Sequence, residues 1–160
     1  MEAAEKICAA ENERFALYEV TENAAVNRLE LRFLSRPENV SLARLLTAAL
    51  VAERELTLAE LDEIKVAVSE AVSNAIIHGY QGRPDRYVEL SLALSDDQLT
   101  VSVCDEGVGI ADVEQAMRPN WSGNGRMGLG FAFMNSFMDR IEVDSVLGQG
   151  TTVKLYKDLP

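Results

Sequence analysis

A carboxylate and a carboxamide, Glu70 and Asn74, stand four residues apart in a segment whose apolar spacing predicts a helix. Residues with this spacing share one face of a helix, so both side chains point the same way. An amide oxygen is a hard ligand that suits Mg²⁺, and a carboxylate can accept a proton from an attacking hydroxyl or water. The alternative interpretation is a polar stripe that faces solvent. Small neighbouring residues and the apolar pair Ile76–Ile77 leave this helix little surface for such a stripe, which favours chemistry.

A second carboxylate, Asp105, follows a strand-like segment in which Leu99, Val101 and Val103 alternate with other residues. Strand geometry puts Asp105 on the same face as these apolar side chains. A carboxylate at the border of a core is costly unless a partner satisfies it, and the amino group of adenine would be such a partner. Taken alone, Asp105 is better explained as the residue that begins a turn at Gly107, because Asp is common in turns.

Glycines supply a third feature. Gly107 and Gly109 flank a single residue, and at such a place the backbone can bend sharply or approach a flat ring closely. A further glycine cluster leads directly into an apolar helix and comprises Gly123, Gly125, Gly128 and Gly130. Backbone N–H groups at the start of a helix bind phosphate, and Arg126 within the cluster could contact a terminal phosphate with two hydrogen bonds.

The segment Gly123–Gly128 also matches the G-x-G-x-x-G string of dinucleotide-binding proteins. That string carries meaning directly after a strand in a βαβ unit, whereas here it follows a long polar loop. A Walker lysine motif is absent from the sequence as well. We therefore reject the Rossmann interpretation and find no support for a P-loop.

The elements that position these residues are predicted in the order strand, helix, helix, two strands, helix, two strands. The segments are, in that order, 26–34, 39–53, 57–79, 88–94, 99–103, 129–138, 141–146 and 151–156. Asn39 or Ser41 is expected to cap the first helix, Thr57 and Glu60 form a capping box on the second, and Gly79 ends it. Helices and antiparallel hairpins are segregated along the chain. We therefore expect an α+β fold, a two-layer α/β sandwich whose mostly antiparallel sheet is covered by helices on one face.

Composition limits the classes of function. The 160 residues carry a formal charge of −11, which repels nucleic acid and attracts a basic protein partner. The sequence has neither a long apolar run nor a signal peptide, so we expect a cytoplasmic protein without a membrane segment. Cys8 and Cys104 lie far apart without ligand partners nearby, so we expect neither a disulfide nor a metal framework. We predict one domain, residues 25–160, preceded by an arm of unknown role, residues 1–24.

The motifs taken together resemble a known superfamily. In order, E-x-x-x-N, D-x-G-x-G, the glycine cluster with its helix, and Gly150–Thr151 resemble the nucleotide-binding boxes of the GHKL ATPases and kinases. The resemblance implies a sandwich of the GHKL (Bergerat) type. Residues 63–80, 105–110 and 128–139 are most similar to the anti-sigma-factor serine kinases, particularly the anti-sigma-F factors of sporulating bacteria. This similarity covers roughly residues 28–158.

The resemblance implies a role for each matching residue. Glu70 would be the catalytic base, and Asn74 would be the Mg²⁺ ligand beside bound ATP. Asp105 would bind the adenine amino group with the help of Thr151, and Arg126 would reach the terminal phosphate. The pocket and the hinges of the ATP lid would be shaped by Gly107, Gly109, Gly128 and Gly130.

The family also implies partners. Its members form homodimers, sequester a sigma factor and phosphorylate a serine on a small anti-anti-sigma protein of the STAS type, and Arg44 matches an arginine that docks partners. The segment 109–128 is short for this family, and Asn120–Gly123 replaces an expected Thr-Thr-Lys. That difference leaves an alternative open, a non-catalytic ATP-binding module whose nucleotide state sets partner affinity. The detached catalytic domain of a sensor kinase is disfavoured by Glu70 together with Ile77, which stands where those kinases usually keep a lysine.

Overall fold

The structure, a computed structural model, describes residues 27–118 and 127–160 of the chain. The elements in chain order are β1 (Asn27–Leu34), α1 (Glu38–Leu50), α2 (Leu58–Asn74), a π-helical turn (Ala75–Gly79), β2 (Tyr87–Leu94), β3 (Gln98–Asp105), α3 (Val113–Ala116), α4 (Met127–Phe137), β4 (Arg140–Val146) and β5 (Gly150–Asp158). The predicted order is confirmed, with the single-turn helix α3 added inside a predicted loop. The predicted arm, residues 1–24, and Arg126 lie outside the described residues, so the division into arm and domain stays a prediction.

The strands form one antiparallel sheet in the order β1–β2–β3–β5–β4. Leu90, Val103 and Val153 align across three adjacent strands, and all three are buried on the face that the helices cover. The expected α+β sandwich with helices on one face of an antiparallel sheet is therefore confirmed. The register also pairs Asp105 with Thr151 at the end of the sheet, which joins two predicted site residues.

Three helices make the second layer, with α2 in contact with both α1 and α4. The face of α2 that meets the sheet consists of Ile64, Ala67, Val68, Ala71 and Val72, all buried. In the described part of the chain, no helix combines the length and apolarity that crossing a bilayer requires.

The N-termini of α1 and α2 show whether the two predicted helix caps are present. The capping box of α2 is confirmed: the Glu60 N–H donates to Thr57 Oγ1 at 3.2 Å, and the Thr57 N–H donates to the Glu60 carboxylate at 2.8 Å. The predicted side-chain cap of α1 is wrong, because that helix begins after Pro37 without one. The Asn39 side chain instead donates to the Leu34 carbonyl oxygen at 2.7 Å and so satisfies the end of β1.

Cys104 contradicts the expectation drawn from cysteine spacing. The residue is disulfide-bonded, and the other end of the bond lies outside the described residues. Separation along a chain does not set separation in space, so sequence distance was a poor reason to exclude the bond. On the neighbouring strand, the Thr152 hydroxyl donates to Cys104 Sγ at 3.1 Å.

Candidate functional site

An open cleft lies where α2, the π-helical turn, the loop after β3, strand β5 and the start of α4 meet. Its empty space, which is continuous with solvent, amounts to about 390 Å³. The cleft is lined by Ala71, Asn74, Ala75, His78, Gly79, Val103, Asp105, Gly109, Ile110, Phe131, Thr151 and Val153. Apolar side chains and glycines dominate this surface, and among the described lining residues Asp105 is the one carboxylate.

Asp105 ends β3 inside the cleft and is only 4% exposed. The Gly107 N–H donates to Asp105 Oδ1 at 2.9 Å, so the residue does begin a turn. Burial raises the pKa of Asp105 to about 6, although hydrogen bonds from the backbone of Gly107 and Thr151 act in the opposite direction. Both interpretations of the sequence therefore hold. Asp105 makes the turn and also presents a buried acceptor to the cleft.

Two glycines bring the π-helical turn against the Asp105 loop. A Cβ at Gly79 would lie 2.6 Å from Asp105 Oδ1, and a Cβ at Gly107 would lie 2.0 Å from the Gly79 carbonyl oxygen. The Val108 N–H donates to that same carbonyl oxygen at 2.9 Å. The helical segment does end at Gly79, as predicted, but the reason for glycine there is close contact with the loop rather than the end of the helix.

The β4–β5 hairpin supports the other side of this loop. Gly109 has a φ of +72°, and a Cβ there would lie 2.2 Å from the Val146 carbonyl oxygen. Ser145 Oγ accepts a hydrogen bond from the Ile110 N–H at 2.7 Å and lies 2.8 Å from Thr151 Oγ1. Thr151 is thereby linked to the loop that carries Gly109, and both residues face the cleft.

Glu70 and Asn74 meet the start of α4 further along α2. A Cβ at Gly130 would lie 2.9 Å from Glu70 Oε2 and 3.2 Å from Asn74 Nδ2, so glycine lets α4 pass close to both polar groups. Burial raises the pKa of Glu70. Asn74 Nδ2 is buried and has no hydrogen-bond partner among the described residues. A buried amide without a partner is costly, and a half-turn of the amide group presents its oxygen instead.

This arrangement fits a magnesium nucleotide. With its amide group turned over, Asn74 would offer one hard oxygen ligand to such an ion, and the carboxylate of Glu70 lies beside it. Within residues 27–118 and 127–160, no group of three or more His, Cys, Asp or Glu side chains could hold a metal ion by itself. Mg²⁺ beside a bound nucleotide usually takes one or two protein ligands and fills its other positions with phosphate and water.

Four of the predicted site residues line this cleft, namely Asn74, Asp105, Gly109 and Thr151, while Glu70, Gly107 and Gly130 lie directly beside it. Gly128 is buried at the start of α4, close in the chain to Gly130. Arg44 lies half-buried on α1 and does not line the cleft, while Arg126 lies outside the described residues. His78 also lines the cleft, and burial lowers its pKa.

Two residues of this region escaped the sequence analysis as functional candidates. Tyr80 is buried beside the Asp105 loop, and its position directly after the Glu70–Gly79 segment was the available signal. Ser145 carried no such signal, because its hydrogen-bond partners come from the loop after β3 and from β5.

Comparisons with known proteins agree with this geometry. Residues 33–157 match the family described as histidine kinase-like ATPase domain. The anti-sigma F factor of Clostridium beijerinckii is 43% identical over 134 residues, which cover 82% of this chain and 94% of that protein. The anti-sigma F factor of Geobacillus kaustophilus is 46% identical over 136 residues, or 83% of this chain and 93% of that protein.

Solved structures show the same fold at lower identity. A crystal structure of RsbU and RsbW domains from Mycobacterium tuberculosis has a TM-score of 0.58 at 20% identity, covering 83% of this chain and 32% of that one. A blue-light activated histidine kinase from Erythrobacter litoralis has a TM-score of 0.52 at 26% identity, covering 66% of this chain and 32% of that one.

Proposed function

Because the chain belongs to the family of histidine kinase-like ATPase domains and groups with the anti-sigma F factors, we propose that it is an ATP-dependent protein-serine kinase that also sequesters a sigma factor. Its phosphate acceptor is a serine on a small anti-anti-sigma protein of the STAS type. It works in the cytoplasm as a homodimer, with ATP and Mg²⁺ as cofactors.

The observation that carries this proposal is the presence of two different polar groups in and beside one apolar cleft. Asp105 offers a buried acceptor near the π-helical turn, and the pair Glu70 and Asn74 lies against Gly130 at the start of α4. An adenine nucleotide has matching parts, an amino group on a flat ring and phosphates that carry Mg²⁺. The close backbone contacts at the glycines favour a flat ring, and the backbone N–H groups at the start of a helix favour phosphates.

The chemistry divides among these residues. Asp105 accepts a hydrogen bond from the adenine amino group, and Thr151, linked to Ser145, assists at the same end. Asn74 holds Mg²⁺, which when bound neutralises charge on the transferred phosphoryl group. Glu70 orients the serine hydroxyl and takes its proton as the serine oxygen bonds to the γ-phosphorus, while the bond from that phosphorus to the bridging oxygen breaks and ADP leaves.

The partner-binding part of the proposal places Arg44 at a docking surface on α1. Its neighbours Leu42 and Leu45 are 44% and 61% exposed. Arginine is enriched among the residues that dominate binding energy at protein interfaces, and the two exposed leucines give the same helix apolar surface. The net charge of −11 should speed encounter with a basic partner and make the association rate sensitive to salt. Arg44→Ala should weaken partner binding and leave ATP binding unchanged.

The kinase proposal is tested by incubating the protein with Mg²⁺, γ-labelled ATP and an anti-anti-sigma protein from the same genome. We expect label on a serine of the acceptor, loss of transfer by at least about a hundredfold in Glu70→Gln, and ATP affinity within about threefold of wild type. Glu53→Gln, an exposed carboxylate after α1, is the matched control and should transfer normally. Transfer by Glu70→Gln at the normal rate would remove Glu70 from the mechanism. Tight ATP binding without transfer would replace the kinase with the non-catalytic binding module.

A further inference from the structure

The hydroxyl of Tyr80 ties the loop of Asp105 to the rest of the sheet. Tyr80 follows the π-helical turn and is 6% exposed. Its oxygen accepts a hydrogen bond from the Glu106 N–H at 2.8 Å and donates one to the Tyr87 carbonyl oxygen at the start of β2. The phenol therefore acts as an acceptor toward the loop that follows β3 and as a donor toward the start of β2.

We infer that Tyr80 is a positioning residue that sets the base selectivity of the nucleotide site by holding the carboxylate of Asp105 in its adenine-reading orientation. Glu106, whose N–H it accepts, is the next residue in the chain after Asp105. Gly79, which precedes Tyr80, lies against the carboxylate itself, since a Cβ there would be 2.6 Å from Oδ1. One short segment, Gly79–Tyr80, therefore restrains Asp105 both through its side chain and through its backbone. The inference rests on the proposed function, in which Asp105 binds adenine.

Tyr80 does not itself line the cleft, so its effect must pass through another residue. A carboxylate distinguishes adenine from a 6-oxo purine because it accepts from an amino group and repels a carbonyl oxygen. The discrimination between the two bases depends on the orientation of the carboxylate. Apolar contacts between the cleft and the ring depend little on that orientation. Loss of the Tyr80 hydroxyl should therefore change the preference between bases more than the affinity for nucleotides in general.

The test compares the dissociation constants of ATP and ITP for wild type and Tyr80→Phe. We expect ATP to bind about five- to tenfold more weakly to Tyr80→Phe, the loss that one neutral hydrogen bond corresponds to, and ITP to change by less than about twofold. Tyr156→Phe is the matched control, because the Tyr156 hydroxyl donates to Glu142 at 2.9 Å on the other face of the sheet. The control should keep the wild-type ratio of the two constants.

A double-mutant cycle separates positioning from general support of the fold. In an Asp105→Asn background, adding Tyr80→Phe should leave the ATP-to-ITP ratio unchanged, because the group through which Tyr80 acts has been altered. Equal weakening of both nucleotides, or an unchanged ratio in Tyr80→Phe, would overturn the inference. Wild type that binds ATP with no preference over ITP would instead overturn the role of Asp105, and wild type that binds neither would overturn the proposed function.

Amide hydrogen exchange on the wild-type protein decides the same question without a variant, should Tyr80→Phe fail to fold. The Glu106 amide should exchange as slowly as the amides of β3 in the nucleotide-free protein, because its N–H is already bonded to Tyr80. Exchange at the rate of an open loop would show that the hydroxyl does not hold this backbone, and the inference would fail.

Discussion

Asp105 should cost the protein stability for the sake of ligand binding, and replacing it with asparagine should make the fold more stable. The pKa of Asp105 is about 6 in the folded protein and 3.8 ordinarily, because the carboxylate is buried. Asparagine keeps an oxygen that can accept the Gly107 N–H, so the local turn survives the change. Asp105→Asn removes the burial of a charge, and it also weakens the set of hydrogen bonds donated by the backbone of Gly107 and Thr151, because asparagine has one acceptor oxygen where the carboxylate has two.

The expected size and pH dependence follow from linkage. Because the folded-state pKa is raised, the folded protein binds the proton more tightly than the unfolded chain, so stability falls as pH rises from 3.8 to 6. At about 1.4 kcal/mol per pKa unit, the ionised carboxylate costs about 3 kcal/mol above pH 7. The same relation gives roughly half of that cost at pH 5 and less than about 1 kcal/mol at pH 4. Asp105→Asn should therefore be more stable than wild type by up to about 3 kcal/mol at pH 8, with the gap closing at lower pH.

Urea unfolding of both proteins at pH 8, 5 and 4 measures these differences, and a parallel titration measures ATP affinity at pH 8. Asp144→Asn, an exposed carboxylate on β4, is the control and should change stability by less than about 0.5 kcal/mol at every pH. A variant that is no more stable at pH 8, or whose gap does not vary with pH, would refute the claim that burial of this charge is costly. Unchanged ATP affinity in Asp105→Asn would refute its role as the adenine acceptor.

Three further predictions concern the same cleft and its supports. Between pH 7 and pH 5, the ATP affinity of the wild type should fall about tenfold more than its ITP affinity, because Asp105, with a pKa of about 6, becomes protonated. Calorimetric titrations of both nucleotides measure this difference, and an equal fall in the two affinities would contradict the prediction. Gly107→Ala places a methyl carbon 2.0 Å from the Gly79 carbonyl oxygen, so ATP affinity should fall more than tenfold. The control Gly82→Ala has no atom within 4 Å of the new methyl group, so thermal unfolding should show only the left-handed backbone strain of about 1–2 kcal/mol, and ATP binding should not change. Thr57→Ala removes the capping box of α2 and should lower stability by about 1 kcal/mol in urea unfolding with ATP affinity unchanged; a loss of affinity would mean that the start of α2 influences the cleft.

Local patterns were sufficient for most of the fold. The alternation of β2 and β3, the stripe of α2 and the capping box at Thr57 each report on neighbours within a few residues, and such signals are written directly in the chain. The four-residue spacing of Glu70 and Asn74 likewise puts them on one helix face whatever surrounds the helix. Asp105 could be placed on the core face of its strand for the same reason, since strand geometry alternates every residue.

Tertiary structure decided what these residues meet. Gly79 was interpreted from the sequence as the end of a helix, yet its lack of a side chain matters because the Asp105 carboxylate and the backbone of Gly107 press against it. Ser145 became visible only when segments distant in the chain came within hydrogen-bond distance, and the contact that gives Tyr80 its role likewise joins distant segments. The disulfide of Cys104 was wrongly excluded on the same ground, because the number of residues between two groups says little about the distance between them in the folded chain. Periodicity governs which way a side chain points, and packing of whole elements governs its partners.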